Sequence, residues 1–323
     1  MAEKVVITLP LPEAALIMLR ERFELLAWSE QTAIPTTVLQ DWVGKADAIL
    51  CSVGNPVTAQ TIARAVHGLK VISTISVGVD HIDTGAATQA GIPVGHTPDV
   101  LTDSTADMAL ALMLSCTRRI PEADRFVRSG QWSGAWSPGM FLGQDLSRST
   151  VGIIGLGPIG LAVAKRVLGF GARVIAWNRT PKEVAGIKMV ELDTLFEDSD
   201  IVSIHAAMTA ETEHLVSAKR LAMLKDGAIV INTARGGLVD EPALIQELVT
   251  GRLSAGLDVF AQEPLPVDSP LMALENVVLV PHLGSATAAT RQAMLERALS
   301  NLLAGLSGSP LPYCVNPEVY TRT

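Results

Sequence analysis

An α/β fold with two doubly wound parallel-sheet domains follows from three features of this 323-residue sequence. Short apolar runs alternate with helical periodicity along most of the chain, a pattern that sets helices on both faces of a parallel sheet. Residues 150–180, TVGIIGLGPIGLAVAKRVLGFGARVIAWNRT, read as strand, glycine-rich turn, helix and second strand. The length also exceeds what one hydrophobic core usually organises, so two domains are expected.

Taken in order, the strands of the first domain are expected at 5–9, 23–28, 48–51, 71–75 and 93–95, with helices at 12–20, 36–43, 58–65 and 84–90. Residues 104–117, STADMALALMLSCT, are apolar almost all round and read as a buried helix. Residues 129–149 are rich in Gly, Ser and Trp and read as an irregular arm. A second series of βα units starts at Thr150 and continues through strands at 173–177, 201–204, 228–232, 254–259 and 277–280. The last helix, about 286–306, follows all of these strands, and its return to the first domain would make that domain discontinuous. The expected division is 1–102 with 285–323, and 103–284.

Bulk properties exclude several classes. Hydrophobic residues make up 48% of the chain and the mean hydropathy is +0.34, rich enough that part of the excess is expected in a subunit interface. No apolar run approaches the ~20 residues that cross a bilayer. The start, Met1-Ala-Glu-Lys followed by an apolar 5–9, reads as a buried strand and not a signal peptide. A net charge of −8 without a basic cluster argues against nucleic acid or an anionic membrane surface as partner. Cys51, Cys116 and Cys314 lack metal-ligand spacing; they suit packing in a reducing cytoplasm, and no metal is expected.

The glycine-rich turn is a dinucleotide fingerprint in its required context. Gly155 permits the tight turn, Gly157 lets the backbone approach a pyrophosphate, and Gly160 lets the helix sit close on its strand. Leu156, Pro158 and Ile159 complete the turn, whose helix start offers unpaired N–H groups to phosphates. An NAD-preferring site usually carries a carboxylate about 20 residues on, at the end of the second strand. Here Asn178-Arg179-Thr180 stand there with Lys182 nearby, so no carboxylate repels a 2′-phosphate. Arg179 pairing with that phosphate, with Asn178 and Thr180 donating to it, favours NADPH. A solvated surface arginine is the plainer alternative, and NADH the alternative cofactor.

Three strand ends late in the chain supply reactive side chains: Arg235 in 229–237, Asp258 and Glu263 in 256–264, and His282 in 278–285. Singly, Arg235 also reads as a loop arginine, Glu263 as a surface acid and His282 as a satisfied turn histidine. Together they form the set that carbonyl reduction needs, a cation beside the developing oxyanion and a proton donor steadied by a carboxylate.

At these segments the chain resembles the D-isomer-specific 2-hydroxyacid dehydrogenases, and within them the glyoxylate/hydroxypyruvate and 2-ketogluconate reductases. The likeness runs over essentially the whole chain. It is carried by VGIIGLGPIG (151–160), NTARGGLVDE (232–241), GLDVFAQEPLPVDSPL (256–271) and VPHLGSAT (280–287), with SVGVDHID (76–83) and CVNP (314–317) in support. The resemblance implies that Arg235 anchors the substrate's carboxylate and carbonyl, His282 is the general acid in reduction, and Glu263 tunes it. It implies backbone N–H groups of Val77 and Gly78 on the carboxylate and Asp258 on the nicotinamide carboxamide. Thr105, Thr233, Ala234 and Gly284 are implied to lie along the cofactor. It also implies a flavodoxin-like substrate domain built from both termini, an inserted Rossmann-type domain, closure on cofactor, and a homodimer through helix 104–117 and arm 129–149. Trp136 or Met140 would then approach the partner's substrate pocket.

Two departures stand out. The family's His-x-Pro-x-Thr reads His205-Ala-Ala207-Met-Thr209, so His205 is not assigned to the site, and the fingerprint's frequent arginine is Pro158, a residue well tolerated at the first helical position. A non-catalytic dinucleotide-sensing corepressor is the rival from another class, disfavoured because Arg235, Glu263 and His282 are all present. An S-adenosylhomocysteine hydrolase relative would need a cysteine-lysine site and greater length.

Overall fold

A computed structural model describes residues 2–321; Met1, Arg322 and Thr323, at the outer limits of the expected first domain, lie outside the described residues. The chain divides into two compact units, one holding the residues up to Val100 and those from Thr287 onward, the other Leu101–Ala286.

In the first unit β1 (Lys4–Ile7), β2 (Glu24–Ala27), β3 (Ala48–Cys51), β4 (Val71–Thr74) and β5 (Val94–Gly95) pair in parallel, in the order β2-β1-β3-β4-β5. This is the flavodoxin-like order. Helices α1 (Glu13–Arg20), α2 (Thr36–Val43), α3 (Ala59–Ile62) and α4 (Thr84–Gln89) connect the strands. Alternating side chains feed two cores, as a parallel sheet buried on both faces requires. Val6, Ile49, Ile72 and Val94 meet Leu39, Val43 and Ile62 on one face. Val5, Ile7, Leu50 and Val71 meet Leu19 and the last helix, α11 (Ala288–Leu306), on the other. Thr287 caps α11 by accepting from Thr290 N at 3.2 Å, and Ser73 Oγ donates to Ala298 O at 2.8 Å. The tail is tied in through buried Asn316, which accepts from Val94 N and donates to Thr88 and Ile92.

The second unit opens with α5 (Thr102–Thr117) and α6 (Ile120–Arg128), followed by an extended segment. Then come β6 (Thr150–Ile154), α7 (Pro158–Gly169), β7 (Arg173–Trp177), β8 (Ile187–Met189), α8 (Leu192–Asp198), β9 (Ile201–Ile204), α9 (Ala218–Met223), β10 (Ile229–Asn232), α10 (Glu241–Val249), β11 (Ser254–Leu257) and β12 (Val277–Leu279). Seven parallel strands run in the order β12-β11-β10-β9-β6-β7-β8. The chain winds one way from β6 and then returns to its other side at β9, so the fingerprint after β6 sits at the topological switch. The register aligns the strand ends on one line across the sheet: Trp177, Ile154, Ile204, Asn232, Leu257 and Leu279 are successive partners.

The two-domain parallel α/β architecture agrees with the sequence expectation. Departures are local. The strand expected at 254–259 ends at Leu257, because Asp258 turns its side chain into the following loop while its N–H still reaches Asn232 O at 2.9 Å. The helix expected at 58–65 is only α3, capped by Thr58. β8 was not expected, since three residues are too few to display alternation. Neither was α6, an amphipathic helix with no buried side chain among the described residues.

One contact here limits stability. A Cβ at Gly305 would fall 2.4 Å from Val71 Cβ, between α11 and β4. Gly305→Ala is expected to cost about 1–3 kcal/mol of overpacking, read as a lowered urea midpoint. An unchanged midpoint would mean that the helix shifts freely on its sheet.

Candidate active site

Every strand end on the aligned row launches a residue of interest. Past β6 the chain turns at Gly155, with φ +94°, where a Cβ would lie 2.8 Å from His205 O. At Gly160 a Cβ would lie 1.9 Å from Gly155 O, so the close seating of α7 on the turn requires glycine. A Cβ at Gly157, the residue before α7, would meet nothing within 4 Å. This open cradle beside the unpaired N–H groups of a helix start fits a dinucleotide phosphate.

The β7 end is built differently from the expectation. Asn178 Oδ1 accepts from Leu156 N at 2.9 Å, and Asn178 Nδ2 donates to Thr180 O at 2.6 Å. Lys182 Nζ donates to Leu156 O at 2.8 Å. Asn178 therefore fastens the fingerprint turn through its Oδ1, while the Nδ2 that was expected to donate to a 2′-phosphate donates to Thr180 O, and Arg179 and Thr180 stay exposed.

His205 follows β9 and Thr233 follows β10, side by side across the sheet. Thr233 is buried and His205 half-buried, and the buried atoms His205 Nδ1 and Thr233 Oγ1 have no hydrogen-bond partner among the described residues. Orphaned polar atoms at a ligand-binding edge fit a cofactor that completes them. His205 Nε2 meets Ser203 Oγ at 2.8 Å, and burial pushes the imidazole down to about 3, so it stays neutral. The broken motif hid it; its place directly after a buried apolar strand aligned with the fingerprint was the available signal. Thr105 packs beside Gly284, whose added Cβ would lie 3.3 Å from the threonine methyl.

Arg235 leaves β10 through a short turn. Asn232 Oδ1 accepts from Ala234 N at 3.0 Å, Asn232 Nδ2 donates to Arg235 O at 2.9 Å, and Arg235 Nη1 donates to Ala234 O at 2.8 Å. Next to it, Gly236 lies against the peptide after Phe260, where an added Cβ would be 1.9 Å from Phe260 C. Ala261 N donates to Glu241 Oε2 at 2.9 Å and Phe260 N to Glu263 Oε1 at 3.1 Å. The loop bearing Glu263 is thus seated on the loop bearing Arg235, and Glu241 is a supporting residue that the sequence reading missed.

Glu263 Oε2 meets His282 Nδ1 at 2.8 Å. With Nδ1 engaged, Nε2 is the ring nitrogen left to exchange a proton. Partial burial acts most strongly on the Glu263 carboxyl and raises its pKa, but the His282 hydrogen bond and charge, the Phe260 N–H and the Arg235 charge outweigh it. The net direction is down, so Glu263 is ionised beside the ring. His282 itself has φ +54°, a left-handed conformation costing ~1–2 kcal/mol for a non-glycine residue. Asp258 holds it there. Asp258 O accepts from His282 N at 2.9 Å, and its carboxylate accepts from Leu283 N and, at 2.8 Å, from Gly284 N. Burial raises the Asp258 pKa against those two N–H groups and His282, which lower it. Val77 and Gly78 follow β4 in the first unit.

Neutral His205, its ring drawn into the protein, makes stability pH-dependent. Its folded pKa lies below its unfolded value near 6.5, so its contribution is full above that pH and is lost as pH falls toward about 3. Relative to His205→Gln, the wild type is expected to lose on the order of 1 kcal/mol per pH unit below about 6, measured by urea unfolding at stepped pH. Parallel curves would show that His205 titrates normally.

Residues 110–284 match the family described as D-isomer specific 2-hydroxyacid dehydrogenase, NAD binding domain. A glyoxylate reductase of Thermococcus litoralis is 44% identical over 331 residues, covering 100% of this chain and 99% of that protein. The crystal structure of the TT0316 protein of Thermus thermophilus superposes with a TM-score of 0.90 at 46% identity, over 97% of this chain and 99% of that one. An NADPH-dependent glyoxylate/hydroxypyruvate reductase of Sinorhizobium meliloti, in complex with NADP and malonate, gives 0.85 at 31% identity over 98% of each chain. With this fold and these strand ends, the chain belongs to the D-isomer-specific 2-hydroxyacid dehydrogenases, a family of oxidoreductases.

Proposed function

We propose that the chain reduces short 2-keto acids, glyoxylate and hydroxypyruvate foremost, to 2-hydroxy acids, of D configuration where the carbon is chiral, using NADPH. The observation that carries this reading is the 2.8 Å contact between His282 Nδ1 and Glu263, on the sheet edge that also bears Arg235 and the fingerprint. When bound, the dinucleotide supplies the hydride. Arg235 holds the substrate's carboxylate and carbonyl oxygens and balances the charge that develops on the carbonyl. His282 delivers a proton from Nε2 to that oxygen, and ionised Glu263 orients the ring throughout. Gly155, Leu156, Gly157, Pro158 and Ile159 receive the pyrophosphate; Thr105, Thr233, Ala234, Asp258 and Gly284 border the nicotinamide half. Val77 and Gly78 bind the carboxylate through backbone N–H groups.

NADPH is preferred in this reading because Arg179 and Thr180 are exposed just past β7 and positions 178–180 carry no carboxylate, even with Asn178 and Lys182 both tied to Leu156. An NADH-preferring or 2-ketogluconate-type reductase is the alternative within the family. The proposal includes a cytoplasmic homodimer. Ile120 and Val127 on α6, and Trp132, Trp136 and Leu142 beyond it, are apolar and exposed, as a covered interface would explain. A monomer by light scattering would remove the dimer from the proposal.

Initial rates with glyoxylate, hydroxypyruvate, pyruvate and 2-ketogluconate, each with NADPH and NADH, test substrate and cofactor together. The highest kcat/KM is expected for glyoxylate or hydroxypyruvate with NADPH; a clear NADH preference would reverse the cofactor assignment. His282→Gln is expected to lower kcat by on the order of 100-fold or more with cofactor affinity barely changed. Arg235→Ala should impair KM and kcat together, since it anchors ground state and transition state alike. Both parameters within about twofold of wild type would refute its role.

A further inference from the structure

We propose that His96, Ser76, Thr74 and His81 are positioning residues that shape the loop after β4 into a carboxylate clamp. They do so by holding two consecutive peptide carbonyls so that the N–H groups of the same peptides face the other way. The inference rests on the 2-keto acid reading above, adds to it the residues that orient the Val77–Gly78 loop, and makes Val79 N–H, in place of Val77 N–H, the donor beside Gly78 N–H.

The two carbonyls are Val77 O and Gly78 O. His96 Nδ1 lies 3.0 Å from Val77 O, and Ser76 Oγ donates to Gly78 O at 2.7 Å. A carbonyl only accepts, so His96 carries its proton on Nδ1. In a trans peptide the C=O and the next N–H point in opposite directions. Pinning Val77 O therefore directs Gly78 N–H away from His96, and pinning Gly78 O directs Val79 N–H away from Ser76. Neither N–H has a hydrogen-bond partner among the described residues. Two adjacent unpaired N–H groups attract an anion, and a peptide flipped the other way would present an oxygen that repels it.

Behind Ser76 the hydrogen bonds have one consistent polarity. The Ser76 hydroxyl hydrogen is committed to Gly78 O, so its oxygen accepts from Thr74 Oγ1 at 2.8 Å. Thr74 has then used its own hydrogen and accepts from His81 Nε2 at 3.0 Å. The chain His81 to Thr74 to Ser76 to Gly78 O thus runs in a single direction, and such chains strengthen each member. Ser76 and Thr74 are buried, so breaking the chain leaves polar atoms unsatisfied. Cys51 Sγ is 4.0 Å from His81 Nε2, and burial pushes its thiol up to about 12, so it adds no charge.

His96 is launched from a fixed backbone. Its N–H donates to Tyr313 O at 3.1 Å and its carbonyl accepts from buried Asn301 Nδ2 at 2.9 Å. A Cβ at Gly95 would lie 2.6 Å from Asn301 Cβ, so β5 meets α11 too closely for any other residue. The ring reaches Val77 from a different strand than the serine does, and the loop is held from two sides.

Steady-state kinetics of the full-length enzyme, with oxamate as a carboxylate probe, decides the matter. Ser76→Ala and His96→Ala are each expected to raise KM for glyoxylate and Ki for oxamate about tenfold, or about 1.4 kcal/mol. kcat at saturation should change by less than about threefold, and NADPH affinity, from quenching of protein fluorescence, by less than about twofold. Thr74→Val should follow Ser76→Ala, whereas Thr74→Ser and His96→Asn, which keep a donor, should recover most of the wild-type KM. Unchanged KM and Ki, or a loss of kcat and cofactor affinity without a change in Ki, would overturn the clamp. A wild-type enzyme that turns over no 2-keto acid would instead overturn the proposed function, which makes the two failures distinguishable.

Discussion

The register of the seven-stranded parallel sheet is the constraint on which the second unit depends. Parallel pairing with even registration brings β7, β6, β9, β10, β11 and β12 to an end on one line, so residues far apart in sequence leave the sheet at the same edge. Gly155, His205, Thr233 and Asp258 are each the first residue past a strand end; Arg235 and His282 stand three residues past theirs. Side chains in the central strands β6, β9, β10 and β11 are buried almost throughout on both faces, so a slip of one residue would turn each of them to the opposite core. Hydrophobic burial thereby secures the placement of the polar residues, which contribute little to folding themselves.

Around that edge, small devices convert a row of loops into a defined geometry. Asp258 accepts from the chain on both sides of Leu283 and offsets the left-handed backbone of His282. Gly236 lets the turn after Arg235 rest on the Phe260 peptide, and Glu241 holds the neighbouring N–H. Charge follows from geometry here. Glu263 is partly screened from solvent yet ionised because a ring nitrogen, an N–H and a guanidinium surround it, whereas His205, half-buried against a serine, is neutral.

Much of this was legible in the sequence, and the physics explains which parts. Most strands of both sheets are short runs rich in Val, Ile and Leu, and the fingerprint needs its glycines for backbone reasons visible in one dimension. Arg235 and His282 each follow such a run closely, so their relation to the sheet edge was readable in the sequence, whereas Glu263 lies further along the loop after β11. β8 carried no pattern, being short and half exposed. The bonds of Asn178 to the phosphate turn were not foreseen for a different reason: its amide suits a phosphate and a backbone peptide equally, and only folding shows the peptide bonds. The link from His96 to Val77 joins the ends of two strands, those from His81 through Thr74 to Ser76 lie at the end of β4 and in its following loop, and because all these residues are of ordinary composition no local signal marks them.

The fastening of Leu156 has a consequence for redesign of this oxidoreductase. Both polar groups of one residue in the phosphate turn are gripped by the segment that follows β7, its N–H by Asn178 and its carbonyl by Lys182. Under the proposed reading, cofactor choice and phosphate-turn shape are therefore mechanically coupled. An acidic graft that replaces Asn178 to welcome an unphosphorylated ribose would also unbolt the loop beneath the diphosphate, unless the newcomer accepts the same peptide hydrogen.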